Sequence, residues 1–294
     1  MPLLIQLRCR KKNTFWVGGR CNMQSLRLFS KQDTKTSRGI LSKAWYTDND
    51  GNKYLVKGNT KEKGIIGYEP YSEELASRIA KVLGLPCVQY RILKAKEFKD
   101  VKVYGIEHVS ICKQIPLGLE EQEISICKYL DIINNGKVTD YFNAYYRSGL
   151  PMDSLYKMLI FDALIGNQDR HLNNWDVAVS SKGARVLPII DNGASLLAWA
   201  NNYEINRDFV VGMDASKPFK KTHREQIAML KKYQKRYCNL PLFNISSTEK
   251  LYADIMKECN ETLKLIDNID KNRGYAIRRY IKARLRYIEW AIRK

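Results

Sequence analysis

The chain has 294 residues, 45% of them hydrophobic and 28% charged, the composition of an ordinary globular protein with room for one large domain or two lobes. A formal net charge of +19 draws it toward anionic partners (nucleic acid, acidic protein, anionic lipid or polyphosphate) without choosing among them. Seven scattered cysteines without a CxxC pair fit neither a disulfide framework nor a zinc site; the N-terminal apolar run is too short for a secretory signal and no stretch nears the roughly 18 apolar residues of a membrane span, so a cytoplasmic location is expected.

Up to about residue 115 the apolar runs are short and densely punctuated: LRLF, KAWYT, KYLVKG, CVQYRIL and VKVYGI. They predict a small antiparallel sheet, with the Asp-Gly turn at 48–51 joining KAWYT to KYLVKG. One helix interrupts it at 70–83, where Leu75, Ile79, Val82 and Leu83 recur at helical spacing before a stop at Gly84 and Pro86. From about 116 onward the pattern is mainly helical, with segments near 121–135, 138–147, 152–165, 221–237, 248–266 and 273–293. The segment 152–165 is apolar on almost every side and is expected to be the buried central helix. A hairpin breaks this half, with strands at 175–179 and 185–190; the second ends at Asp191, Asn192 and Gly193. In the last segment Ile277, Ile281, Leu285, Ile288 and Ile292 form an apolar stripe, which leaves Arg273, Arg278, Arg279, Lys282, Arg284 and Arg286 on a solvated basic face. That face is either the outside of a docked helix or a nucleic-acid contact. Trp45, Trp175 and Trp199 read as core. The outline is α+β: a two-lobed, protein-kinase-like fold, with a sheet lobe carrying one helix over 1–115 and a mainly helical lobe over 116–294.

Such an architecture directs attention to carboxylates and amides at defined spacing. Phosphoryl transfer needs a carboxylate to take the acceptor's proton, oxygen ligands for magnesium and a cation on the phosphates. In NQDRHLNN, Asp169 precedes Asn174 by five residues, the catalytic-loop spacing of protein kinases, and Asp191 opens the D-x-G turn that supplies the second metal ligand. Lys57, on the strand YLVKG, suits the phosphate-holding lysine. Its partner is expected on the helix at 70–83, where Glu73 shares a stripe with Ala76 and Ala80 while Glu74 points to the other side. The loop at 37–43, with Ser37 and Gly39, lies where a phosphate-covering loop belongs. His171 reads as a donor that holds the catalytic loop at the nucleotide. Singly, each element is an ordinary turn or a solvated lysine; their order on the chain makes them support one another.

LIGNQDRHLNNW followed by LPIIDNGASLL resembles the catalytic lobe of HipA-type serine/threonine kinases, bacterial toxin kinases related in fold to phosphatidylinositol 3- and 4-kinases. YLVKG, SEELASRIAKVLGLP and SKPFKKTHREQ are similar to further segments of that family, so the resemblance spans about 37–230. It implies ATP and Mg2+ as cofactors, Asp169 as base, Asn174 and Asp191 as magnesium ligands, and Lys57 with Glu73 as the phosphate-holding pair. It also implies a hinge from Ile111 to Ile115 that meets adenine through backbone groups, and autophosphorylation of a loop serine, Ser37 or Ser42. As partners it implies a protein substrate, such as an aminoacyl-tRNA synthetase or another translation factor, and a separate antitoxin; the chain lacks room for the family's extra N-terminal subdomain, so that part is expected as a separate small protein. A small-molecule or lipid-headgroup kinase and a non-enzymatic nucleic-acid-binding protein are the competing readings.

Overall fold

The computed structural model describes residues 27–28, 41–209, 211–237 and 247–293. Ser37 and Gly39 lie outside the described residues.

The first lobe runs β1 (Arg27–Leu28), β2 (Lys43–Thr47), β3 (Lys53–Lys57), a small hairpin of β4 (Lys61–Glu62) and β5 (Ile65–Ile66), α1 (Glu69–Val82), β6 (Tyr90–Lys94) and β7 (His108–Lys113). Five of these strands form an antiparallel sheet in the order β1-β2-β3-β7-β6. The connection between β2 and β3 is longer than a two-residue turn: Asp48 folds it by accepting from the amides of Asp50 and Asn52 at 3.0 and 2.8 Å. Alternation along the strands sorts the two faces. Ala44, Tyr46, Tyr54, Val56, Val109 and Ile111 bury one face under Phe98 and Val101. Lys57, one position on from Val56, faces α1 instead. The segment VKVYGI does not form the expected strand; its valines lie in the loop that covers this outer face, and the strand begins later, at His108.

The second lobe runs β8 (Gln122–Ser125), α2 (Ile126–Ile133), α3 (Tyr141–Arg147), α4 (Met152–Ile165), β9 (Asp176–Ser180), β10 (Gly183–Val186), α5 (Asn202–Asn206), β11 (Ala215–Ser216), β12 (Lys221–Thr222), α6 (His223–Tyr237), α7 (Thr248–Ile269) and α8 (Lys271–Arg293). The helix expected at 121–135 starts five residues late, at Ile126, because residues 122–125 pair with β9 and make the hairpin a three-stranded sheet. Ser125 then caps α2 by accepting from the Lys128 amide at 3.3 Å. The central helix α4 is buried on nearly all sides and stops at Gly166, whose φ of 65° closes the left-handed cap.

One core cluster runs from α1 (Tyr71, Leu75, Ile79) through α4 to α7 and α8 (Cys259, Leu263, Ile281, Leu285). Helix α1 is therefore fastened to the helical lobe as well as to its own sheet, with Lys81 paired to Glu258 at 2.8 Å at the rim. The basic face of α8 differs from expectation at two places. Arg273 and Arg284 are buried and donate to main-chain oxygens of Leu197, Ala200 and Ala163 at 2.6–2.7 Å. Arg278, Arg279 and Arg286 pair with Asp267, Asp208 and Glu249. Trp175 is core, but Trp45 is only half-buried, and Trp199 is 42% exposed with its indole N–H on Glu69. Among the described residues no helix is long and apolar enough to cross a membrane.

Candidate active site

The sheet lobe delivers Lys57 from the end of β3, and α1 delivers Glu73 from its second turn. Their ion pair measures 2.6 Å with both side chains nearly sealed from solvent. Glu74, on the next helical position, turns to Arg78 and leaves Glu73 as the lysine's partner. Lys57 also reaches the Asp191 carboxylate at 2.8 Å and the Tyr90 hydroxyl at 3.3 Å. Burial by itself would lower the Lys57 pKa, but Asp191 and Glu73 outweigh it and hold it well above the ordinary lysine value. The same ammonium, working against burial, holds Asp191 down at about 2. Burial pushes Glu73 up, against the pull of Lys57.

Three hydrogen bonds place Asp191. The Ile189 amide donates to the Pro86 carbonyl and the Val88 amide to the Ile189 carbonyl, so the segment before the turn is stitched to the link between α1 and β6. The Asn192 amide then donates to the second Glu73 oxygen at 2.8 Å. Gly193 lets the turn lie against α1, since an added Cβ would sit 3.2 Å from the Glu69 Cβ. Asp191 itself takes φ of 58°, a left-handed backbone that costs a non-glycine residue roughly 1 kcal/mol and is found where the surroundings enforce it.

The loop bearing Asp169 and Asn174 follows Gly166. Asn167 is buried, donates to Asp162 and accepts the Asp169 amide at 3.0 Å, which aims the Asp169 side chain outward into partial exposure. The Asn174 side-chain amide donates to the Asp169 carbonyl at 3.2 Å and closes the loop. His171 accepts the Asn173 amide at 3.2 Å, a contact within the loop. The hub of the site is Arg170, fully buried, which the sequence reading passed over. Its guanidinium pairs with Asp162 of α4 at 3.0 Å, donates to the Asn174 carbonyl at 2.8 Å and the Asn192 side chain at 2.5 Å, and also reaches the Ile190 carbonyl. A single cation thus binds the central helix, the loop bearing Asp169 and Asn174, and the turn bearing Asp191.

Two further cations escaped the sequence reading. Lys43 stands opposite Lys57 in register on β2; burial lowers its pKa while Asp191 opposes the shift. Lys217, just past β11, makes an ion pair with the Asp169 carboxylate. No spacing rule marks either, because both arrive through the tertiary fold. Asp176, two positions past Asn174, is pushed up to about 7 by burial and by its neighbour Glu123.

The expected hinge needs correction at Ile111. It sits mid-strand in β7, paired to Val56 on one side and Arg91 on the other, with its side chain in the outer cluster, so its backbone groups are spent within the sheet. Ile115 lies two residues beyond the end of β7, on the connector between the lobes. Ser42 is occupied in the sheet lobe, its hydroxyl accepting the Lys102 amide at 2.8 Å and its carbonyl accepting the Gly58 amide at 2.8 Å.

Among the described residues no three His, Cys, Asp or Glu side chains cluster as a metal cage. A divalent cation here would rest on Asp191, held ionised, on Asn174, and on water and phosphate oxygens. That sparse set of hard oxygen ligands is the one magnesium accepts beside a polyphosphate.

No protein family and no curated protein matches this sequence. Among solved structures the chain is similar to the Helicobacter pylori proinflammatory kinase CtkA, with a TM-score of 0.60 and 19% identity over 91% of this chain and 94% of that one. It also aligns with HipA of Shewanella oneidensis at a TM-score of 0.47 and 14% identity, covering 95% of this chain and 76% of that one. The Golgi casein kinase aligns at 0.48 and 12%, covering 88% and 71%. The fold assignment rests on the first of these: the described chain has the two-lobed α+β architecture of a protein kinase.

Proposed function

We propose that the protein is an ATP- and Mg2+-dependent phosphotransferase that acts on serine or threonine hydroxyls of a protein substrate, in the manner of the HipA-type kinases its sequence resembles. One observation carries this reading: Lys57 joins Glu73 of α1 to Asp191 of the D-x-G turn, while Arg170 clamps that turn to the loop holding Asp169 and Asn174. In protein kinases the phosphate-holding lysine is paired with a glutamate of the small lobe's helix and lies beside the aspartate of the D-x-G turn, which is the arrangement of Lys57, Glu73 and Asp191.

On this reading Lys57 binds the α- and β-phosphates with Glu73 fixing its direction, and Lys43 adds positive charge to the same wall. Asp169 accepts the proton of the attacking hydroxyl as the new oxygen–phosphorus bond forms and the bond from the γ-phosphorus to the β-bridging oxygen breaks, leaving ADP. Bound Mg2+ would neutralise developing charge on the phosphate oxygens, held by Asp191 and Asn174. The adenine would meet the connector around Ile115. The substrate is proposed to be a translation-related protein, with a separate small protein as antitoxin partner. The resemblance alone supports both, and it equally supports autophosphorylation at Ser42 or Ser37.

The test is ATP turnover and self-phosphorylation by the purified protein with Mg2+. Asp169→Ala is expected to lower the rate by about 10²- to 10⁴-fold. A variant as active as the wild type would remove Asp169 from the mechanism.

A further inference from the structure

We propose that Lys217 is a further catalytic residue of this reaction, its ammonium group contacting the transferring γ-phosphoryl from the acceptor side while it holds the Asp169 carboxylate. The inference rests on the kinase reading above.

Lys217 pairs directly with the residue assigned as base, yet it comes from a different part of the chain, 48 residues on. Its side chain is 60% exposed, and an exposed lysine–carboxylate pair ordinarily contributes about 0–1 kcal/mol and needs no fixed geometry. The backbone that carries it is nonetheless held firmly. Strands β11 and β12 pair Ser216 with Lys221, and the tight turn between them puts two non-glycine residues, Phe219 and Lys220, at φ of 62° and 52°. Each such residue costs roughly 1 kcal/mol, so packing must hold the turn in place. It does: buried Gln226 donates to the Pro218 carbonyl at 2.8 Å, and Phe219 packs edge-on against Phe142.

The turn is also locked to the catalytic loop. His223, fully buried at the start of α6, donates from Nε2 to the Asn167 carbonyl at 3.1 Å, and Asn167 in turn holds the Asp169 amide. The base and the lysine are thus mounted on two segments joined by a buried hydrogen bond. A flexible side chain on a strained, anchored turn that ends at the base is suited to meeting something at the base.

The chemistry supplies the ligand. In phosphoryl transfer the negative charge spreads over three equatorial oxygens, and preorganised cations where that charge develops are the main source of acceleration. Lys57 and Lys43 approach from the sheet lobe. Lys217 approaches from the helical lobe, beside the carboxylate that takes the hydroxyl proton. An ammonium has three donors: one serves Asp169, and the others are free for the phosphoryl oxygens.

The experiment has two arms. An acyl-phosphate derivative of ATP transfers its acyl group to amines beside the terminal phosphates, releasing the nucleotide, and peptide mass spectrometry identifies the acylated lysine. Acylation of both Lys57 and Lys217, suppressed by excess ATP, is expected. Acylation of Lys57 without Lys217 overturns the proposal and leaves the kinase reading standing, whereas ATP-protected acylation of neither lysine removes that reading and the proposal with it. In the second arm, Lys217→Met is expected to lower kcat for ATP turnover by about 30- to 300-fold while KM for ATP stays within about threefold, and Lys217→Arg is expected to restore part of the loss. A Lys217→Met protein whose kcat is within about twofold of wild type overturns the assignment.

Discussion

Arg170 and Asp162 meet in a place from which water is excluded on every side. A buried pair of this kind contributes little compared with an apolar pair of the same volume, but removing one partner leaves the other charged and without its counter-charge, at a cost of about 3–5 kcal/mol. Here the cost is larger in kind, since the guanidinium also satisfies the Asn174 carbonyl and the Asn192 side chain. Arg170→Met is therefore expected to lower stability by about 3–5 kcal/mol, read from the shift in denaturant midpoint, and Arg170→Met combined with Asp162→Leu to recover part of that. A loss below about 1 kcal/mol in the single variant would show that the hub does not hold the loops together. Lysine is no substitute, because one ammonium cannot span the fork of acceptors that the planar guanidinium serves. The sequence motif makes Asp169 and Asn174 visible through their spacing and hides Arg170, which lies between them as an ordinary charged residue until the fold closes around it.

At the scale of elements, the junction of α4 with the loop bearing Asp169 turns on Gly166. Its positive φ is one constraint; the other is that an added Cβ would run into the Tyr280 hydroxyl and the Arg284 guanidinium of α8. Gly149, at φ of 78°, shares the first constraint and has open space around it. The pair separates backbone strain from steric overlap: Gly149→Ala is expected to cost about 1 kcal/mol and Gly166→Ala about 2–4 kcal/mol, measured by chemical denaturation. Equal costs would mean that α8 gives way. Elements whose signal is local were legible in the sequence. Helix α4 occupies 152–165 as expected, because an apolar run bounded by Pro151 and Gly166 has few other options, and α1 and the β2–β3 pair follow from periodicity and an Asp-Gly turn. Elements decided by partners were not. Residues 122–125 became a strand because β9 offered an open edge, and 101–106 became a cover because the outer face of the sheet needed one. The site divides the same way. Lys57, Glu73 and Asp191 were readable as types at intervals and do touch, while Lys43, Tyr90 and Lys217 reach the same region through pairings that no interval encodes.

The whole molecule carries an excess of 19 positive charges, so every carboxylate that protonates as the pH falls adds to its self-repulsion. Asp214 is placed to make that fall steep. It lies between α6 and α8, facing His223, Arg284, Tyr280 and Tyr287, and its ion pair with the buried Arg284 connects the terminal helix to the segment that carries Lys217. Burial would raise its pKa, but His223 and Arg284 outweigh burial and bring it down to about 2. A carboxyl with a folded pKa below its unfolded value of about 3.9 adds stability that is complete above that value and disappears as the pH falls through about 2. Allowing for its partial exposure, the contribution is about 1–2 kcal/mol at neutral pH. Thermal unfolding followed from pH 7 to pH 2 at constant ionic strength should thus show a decline concentrated between pH 4 and pH 2. Asp214→Asn keeps a side-chain oxygen for Arg284 and discards the titration; it should begin less stable at pH 7 and lose less between pH 4 and pH 2. If the two proteins decline in parallel, the acid sensitivity belongs to the general charge excess and the α6–α8 junction contributes nothing specific to it.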